Sequence, residues 1–154
     1  MQRVWKLALP PVLLCGAAVG VTSAATRQQV WQADVQIRTL EVTKSRTGIS
    51  VRVVVYVEHD DDAKDSRLLV LLPVGVGVEQ LGVGCVASAG PTMVPSLRAT
   101  ITCELGVISN RGFREVLLST TLPPEGRPKR FGVFAYSATP DPVPGNNYAE
   151  RTIP

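Results

Sequence analysis

Residues 49–58 carry the plainest pattern in the chain. Ile49, Val51, Val53, Val55 and Val57 fall on one parity, and Ser50, Arg52, Tyr56 and Glu58 fall on the other, with Val54 the exception. A period of two, apolar on one side only, is the signature of a β-strand with one face on a core. Its β-branched content favours a strand over a helix. Residues 33–42 alternate as well, but Val35 and Ile37 lie on one parity and Leu40 and Val42 on the other. That switch predicts a β-bulge or a strand that changes sheets.

The remainder reads as short strands cut by turn residues. Strands are expected at 66–72, stopped by Pro73, at 84–87, 97–105, 113–122, 129–139 and 147–153. Residues 74–83 form a valine-rich stretch whose regularity Gly75, Gly77 and Gly82 limit. Ser109-Asn110-Arg111-Gly112, Pro123-Pro124-Glu125-Gly126 and residues 140–145 are turns, and 88–96 is a loop. No segment has the period of an amphipathic helix. The expected fold is all-β, an immunoglobulin-like β-sandwich of about seven to eight strands, with a small barrel as the alternative.

The first 25 residues stand apart. Arg3 and Lys6 precede an almost wholly apolar run, and Thr22, Ser23, Ala24 and Ala25 supply small residues before a cleavage point after Ala24 or Ala25. This is the three-part pattern of a secretory signal peptide. Pro10-Pro11 interrupts the run, which is marginal for a membrane span. Leu14 before Cys15 lacks the small residue that lipid attachment expects. The expected organisation is a signal peptide at 1–25, a short segment at 26–32 and one sandwich domain at 33–154, secreted or periplasmic, with no membrane insertion after cleavage.

Export changes the charge argument. The whole chain has a formal charge of +3, but without Arg3 and Lys6 the 16 basic residues become 14 against 13 acidic ones. A near-neutral domain has no concentrated basic surface for nucleic acid, so that partner class is excluded. Of three cysteines, Cys85 and Cys103 remain after the signal. They lie 18 positions apart, and the parities of their strands point both coreward. In an oxidising compartment they are expected to form a disulfide.

Candidate chemistry is sparse. The chain has a single histidine, His59, and no nucleophile elbow, zinc-binding helix motif or phosphate loop. No enzyme activity and no cofactor are expected. His59 opens an acidic loop in which Asp60, Asp61, Asp62 and Asp65 offer hard oxygen ligands of the type Ca²⁺ takes. The loop lacks the glycine and terminal glutamate of an EF-hand, and Lys64 and Arg67 neutralise part of its charge. Tyr56, Phe134 and Tyr136 sit on outward parities and are the aromatic candidates for a sugar platform, with packing on a sheet as the rival role.

The C-terminal segment Asp141-Pro142-Val143-Pro144-Gly145-Asn146-Asn147-Tyr148-Ala149 resembles the closing turn and strand of a bacterial secreted and cell-surface family of immunoglobulin-like domains, catalogued as domain of unknown function eleven. Other stretches fit in order: 33–37 as the opening strand, 49–57 as the central one, Leu71-Leu72-Pro73 and Thr102-Cys103-Glu104-Leu105-Gly106 as two characteristic steps, and 113–121 as the long strand that follows. The resemblance spans residues 33–153 and departs at 59–65. It implies a sandwich fold and a surface location, with Asp141, Asn146 and Asn147 as turn-shaping residues. Fold and resemblance together lead to the expectation of a secreted, non-enzymatic structural or protein-interaction domain with a cell-envelope or extracellular protein as partner. The alternative is a weak calcium- or carbohydrate-binding module using the 59–65 loop.

Overall fold

The computed structural model describes residues 31–59, 61–88, 99–123, 125 and 129–153. The expected signal peptide at 1–25 and most of the 88–96 loop lie outside the described residues.

Among the described residues the alternating segments become nine strands: β1 (Asp34–Lys44), β2 (Ile49–Glu58), β3 (Ala63–Leu71), β4 (Val78–Gln80), β5 (Cys85–Ser88), β6 (Thr100–Ile108), β7 (Phe113–Thr120), β8 (Lys129–Tyr136) and β9 (Tyr148–Ile153). All pairings are antiparallel. One sheet has the order β1-β2-β7-β4 and the other β5-β6-β3-β8-β9. Consecutive strands β2 and β3, β6 and β7, and β7 and β8 lie in different sheets, so the chain crosses repeatedly between layers, as in an immunoglobulin-like sandwich.

The core is what the valine pattern demands. Val51, Val53, Val55 and Val57 of β2 are buried, and so are Val116 and Leu118 of β7. Leu68, Val70, Ile101, Cys103, Phe131, Val133 and Ala135 meet them from the second sheet. Along β2 one parity is buried and the other outward, the arrangement in which two inner faces interdigitate.

The parity switch in β1 is a β-bulge. Ile37 pairs with Val55 and Thr39 with Val54, leaving Arg38 as the extra residue. Before the bulge Val35 is fully buried, and beyond it Leu40 and Val42 pack against the core.

Two boundaries differ from expectation. The charged loop after β2 is shorter than its composition suggests, because β3 begins at Ala63 and includes Lys64 and Asp65. Ala63 is fully buried opposite Ile108. The register shifts on either side of Ser66, whose hydroxyl donates to the Ala63 carbonyl at 3.0 Å. Within the valine-glycine stretch, β4 forms a ninth, three-residue strand against β7. Its Val78 is half-buried, which gives it too little apolar alternation to be read from sequence.

Candidate functional site

One end of the sandwich is built around the entry to β1. The Gln32 amide donates to Asp61 Oδ2 at 2.8 Å, the Ala33 amide to the Pro140 carbonyl at 3.1 Å and the Val35 amide to Asp141 Oδ2 at 2.9 Å. These bonds tie residues 32–35 to the segment after β2 on one side and to the β8–β9 connection on the other. The neighbouring segments are tied together too. The Thr139 hydroxyl donates to the Asp62 carbonyl at 3.0 Å and accepts from the Lys64 amide at 3.1 Å, and the Ala138 amide donates to the Lys64 carbonyl at 2.8 Å. Asp62 Oδ1 accepts from the Asn110 amide at 2.9 Å, joining the β6–β7 turn to this end.

The frame leaves a cleft of about 530 Å³ lined by Trp31, Asp61, Asp62, Lys64, Ala138, Thr139 and Pro140. Trp31 is 63% exposed although the chain directly after it is held by backbone hydrogen bonds. Loops at the end of a sandwich are where such folds place their binding residues.

The structure brings Asp61 and Asp62 to this cleft. Each spends one carboxylate oxygen on a backbone amide distant in sequence. Asp65 lies instead at the β3 irregularity with φ 48°, and Asp60 lies outside the described residues. Among the described residues, no three His, Cys, Asp or Glu side chains are grouped to hold a metal ion. His59 is exposed at the end of β2 with φ 87°, a left-handed conformation that histidine adopts more readily than most residues. Sequence reasoning missed Trp31. The available signal was a tryptophan, the only one left once a signal peptide carrying Trp5 is removed, standing among glutamines directly before the first strand.

In the closing turn Asp141 bonds both its own turn and the first strand. Asp141 Oδ1 accepts from the Val143 amide at 2.7 Å, which shapes the turn, while Oδ2 holds Val35 of β1. Asn146 Nδ2 donates to the buried Asp34 Oδ1 at 2.8 Å, and the Asn147 carbonyl accepts from the Ala135 amide at 2.9 Å. Turn and first strand are therefore one unit, joined across more than a hundred residues of sequence.

The outward aromatics lie on two faces. On the four-stranded sheet, the Arg38 guanidinium sits 4.3 Å from the Tyr56 ring centroid, where the bulge delivers it. A shallow trough on the same sheet includes Glu41, Arg52 and Leu117. Arg52 bonds both Glu115 and Glu41, and these carboxylates, Glu115 first, raise its pKa above the ordinary value, so it stays cationic. On the five-stranded sheet, Phe134 and Tyr136 stack with centroids 5.8 Å apart. Phe134 stands between Leu69 and Tyr148 in register, and the pairs Arg67–Glu104 and Arg130–Glu150 neutralise charge around them.

Cys85 and Cys103 are joined by a disulfide between directly opposed residues of β5 and β6. The Glu104 amide donates to the Gly84 carbonyl at 2.9 Å, which makes Cys85 and Cys103 a non-hydrogen-bonded pair, the kind in which opposed residues come closest. Cys103 is fully buried and Cys85 half-buried. Val83, just before this strand, is fully exposed, because residues 83 and 84 form a turn.

No protein-family model matches the chain, and no curated protein matches it significantly. Among solved structures it is similar to a GH20 exo-β-N-acetylglucosaminidase from Vibrio harveyi in complex with N-acetylglucosamine, at 12% identity and a TM-score of 0.32. An inactive mutant of that enzyme gives 11% identity and a TM-score of 0.31. In both cases the match covers 80% of this chain and 17% of the enzyme's chain. Likeness at that level carries no argument about this chain.

Proposed function

We propose that this chain is an exported, non-enzymatic interaction domain, secreted or periplasmic, that engages a cell-envelope or extracellular partner through the loop end of its sandwich. The observation that carries the reading is Trp31: a large aromatic side chain left exposed beside a cleft, on a segment fixed by hydrogen bonds to two other parts of the chain. A pre-positioned, exposed aromatic loses little conformational freedom on binding and offers a large apolar area, the properties that make tryptophan dominate recognition surfaces.

Export is supported by the three-part N-terminal pattern and by the Cys85–Cys103 disulfide, which persists in oxidising compartments. Among the described residues no helix is long and apolar enough to cross a membrane. At the cleft Asp61, Asp62 and Thr139 each hold a backbone group, which gives its polar side chains a structural use. The closing turn supports placing the chain with the secreted surface family it resembles.

Co-sedimentation of the purified protein with isolated envelope and extracellular material tests the reading. Saturable binding lost in Trp31→Ala, with the folded state intact, is the expected result. Equal binding by both proteins would overturn the assignment of the loop end.

A further inference from the structure

Trp31, Asp61, Asp62 and Lys64 face one cleft, and their chemistry is complementary to one class of ligand. We infer that the cleft binds an uncharged pyranose ring of an envelope or extracellular polysaccharide, stacked on the Trp31 indole. The inference rests on the reading of the loop end as the binding surface and names its ligand.

Three observations carry it. First, Trp31 is 63% exposed while residues 32, 33 and 35 are pinned by their amides, so the indole stands on a fixed stem. An aromatic face carries partial negative charge. The axial C–H groups of a pyranose form an apolar, weakly positive face that matches it, which a flat apolar peptide surface would not need a polar surround to accompany.

Second, the surround is polar in the way that hydroxyls require. Asp61 and Asp62 each have one carboxylate oxygen committed to a backbone amide, which fixes the group and leaves its other oxygen as an acceptor. Lys64 lines the same cleft and takes part in no ion pair among the described residues, so its ammonium supplies donors. Vicinal hydroxyls both donate and accept, and fixed carboxylates with a nearby ammonium satisfy both roles.

Third, size and charge narrow the class. A volume of about 530 Å³ lies within the range of small-ligand sites. Two carboxylates against one ammonium leave the lining net negative. Uronic acids and phosphorylated sugars are therefore disfavoured by like charge.

The test uses the exported protein carrying Trp5→Phe, so that Trp31 is the sole indole whether or not the N-terminal segment is retained. Cellotriose, maltotriose and tri-N-acetylchitotriose are titrated while Trp31 emission is followed, with trigalacturonate as the charged comparison and isothermal calorimetry as the second readout. At least one neutral trisaccharide is expected to shift Trp31 emission to shorter wavelength with saturation. Trigalacturonate should bind at least about tenfold more weakly, a difference of about 1.4 kcal/mol, and the gap should narrow in Asp61→Asn. Trp31→Ala should abolish the calorimetric signal and Trp31→Tyr should restore part of it, with unchanged thermal midpoints. Envelope binding that depends on Trp31, with no response to any neutral sugar, would overturn the sugar assignment and leave the loop-end reading standing. Stronger binding of trigalacturonate than of the neutral sugars would also overturn it. Envelope binding that is equal in the parent and in Trp31→Ala would remove the loop-end reading itself.

Discussion

Asp141 shows how much one turn residue can hold. Its two oxygens accept from Val143 at 2.7 Å and Val35 at 2.9 Å, so it shapes its own turn and anchors the first strand. Replacing it with alanine leaves two backbone donors without their acceptor. Asp141→Ala is expected to cost about 2 kcal/mol, read as a lower urea midpoint with an unchanged slope, and Asp141→Asn should recover part of the loss. The turn-shaping role was legible because aspartate and asparagine beside prolines have few other uses in such a position. The bond to β1 was not, since nothing in a linear pattern reports a contact made across the whole domain. Trp31 was illegible for a related reason: exposure of an aromatic residue is a property of the packed molecule, and sequence alone offered only its polar neighbours.

At the scale of elements, the clearest success of pattern reading is β1. The shift of apolar parity between Ile37 and Leu40 is met by an extra residue, and Arg38 is that residue. The β3 boundary failed because composition outweighed parity: Lys64 and Asp65 look like loop, yet Ala63 and Ser66 are both fully buried and the strand accommodates the charges by irregular pairing. The turn before β5 has a stricter requirement. Gly84 has φ +74°, and a Cβ there would stand 2.9 Å from the Glu104 carbonyl oxygen, whereas a Cβ at Gly145 would meet nothing within 4 Å. Gly84→Ala should therefore destabilise by about 1–2 kcal/mol, and Gly145→Ala should stay within about 0.5 kcal/mol of the parent, both measured by chemical denaturation. The disulfide that this turn aligns closes a loop of 18 positions. Reducing it is expected to cost about 3 kcal/mol, and intact mass after alkylation without reductant should show no modification at Cys85 or Cys103.

At the scale of the whole molecule, the sandwich was readable because valine alternation, turn residues and strand spacing all agree, and such agreement is what specifies a single fold. The functional end was readable only in part. The acidic run drew attention to the loop end, where two of its carboxylates have a structural use. Asp61 and Asp62 serve as acceptors for the Gln32 and Asn110 amides, and Asp65 does not join them at the cleft. Millimolar Ca²⁺ should accordingly leave the thermal unfolding midpoint where it is. A rise with calcium, abolished by Asp61→Asn, would restore the ion-binding reading.

The location of the binding surface separates this account from its nearest rival, recognition by the exposed Phe134 and Tyr136 on the five-stranded sheet. The most direct measurement is envelope co-sedimentation of the parent, Trp31→Ala and Phe134→Ser side by side, each checked for an unchanged unfolding midpoint. The account predicts at least about tenfold weaker binding for Trp31→Ala and parent-like binding for Phe134→Ser. Loss in Phe134→Ser with full binding by Trp31→Ala would contradict it.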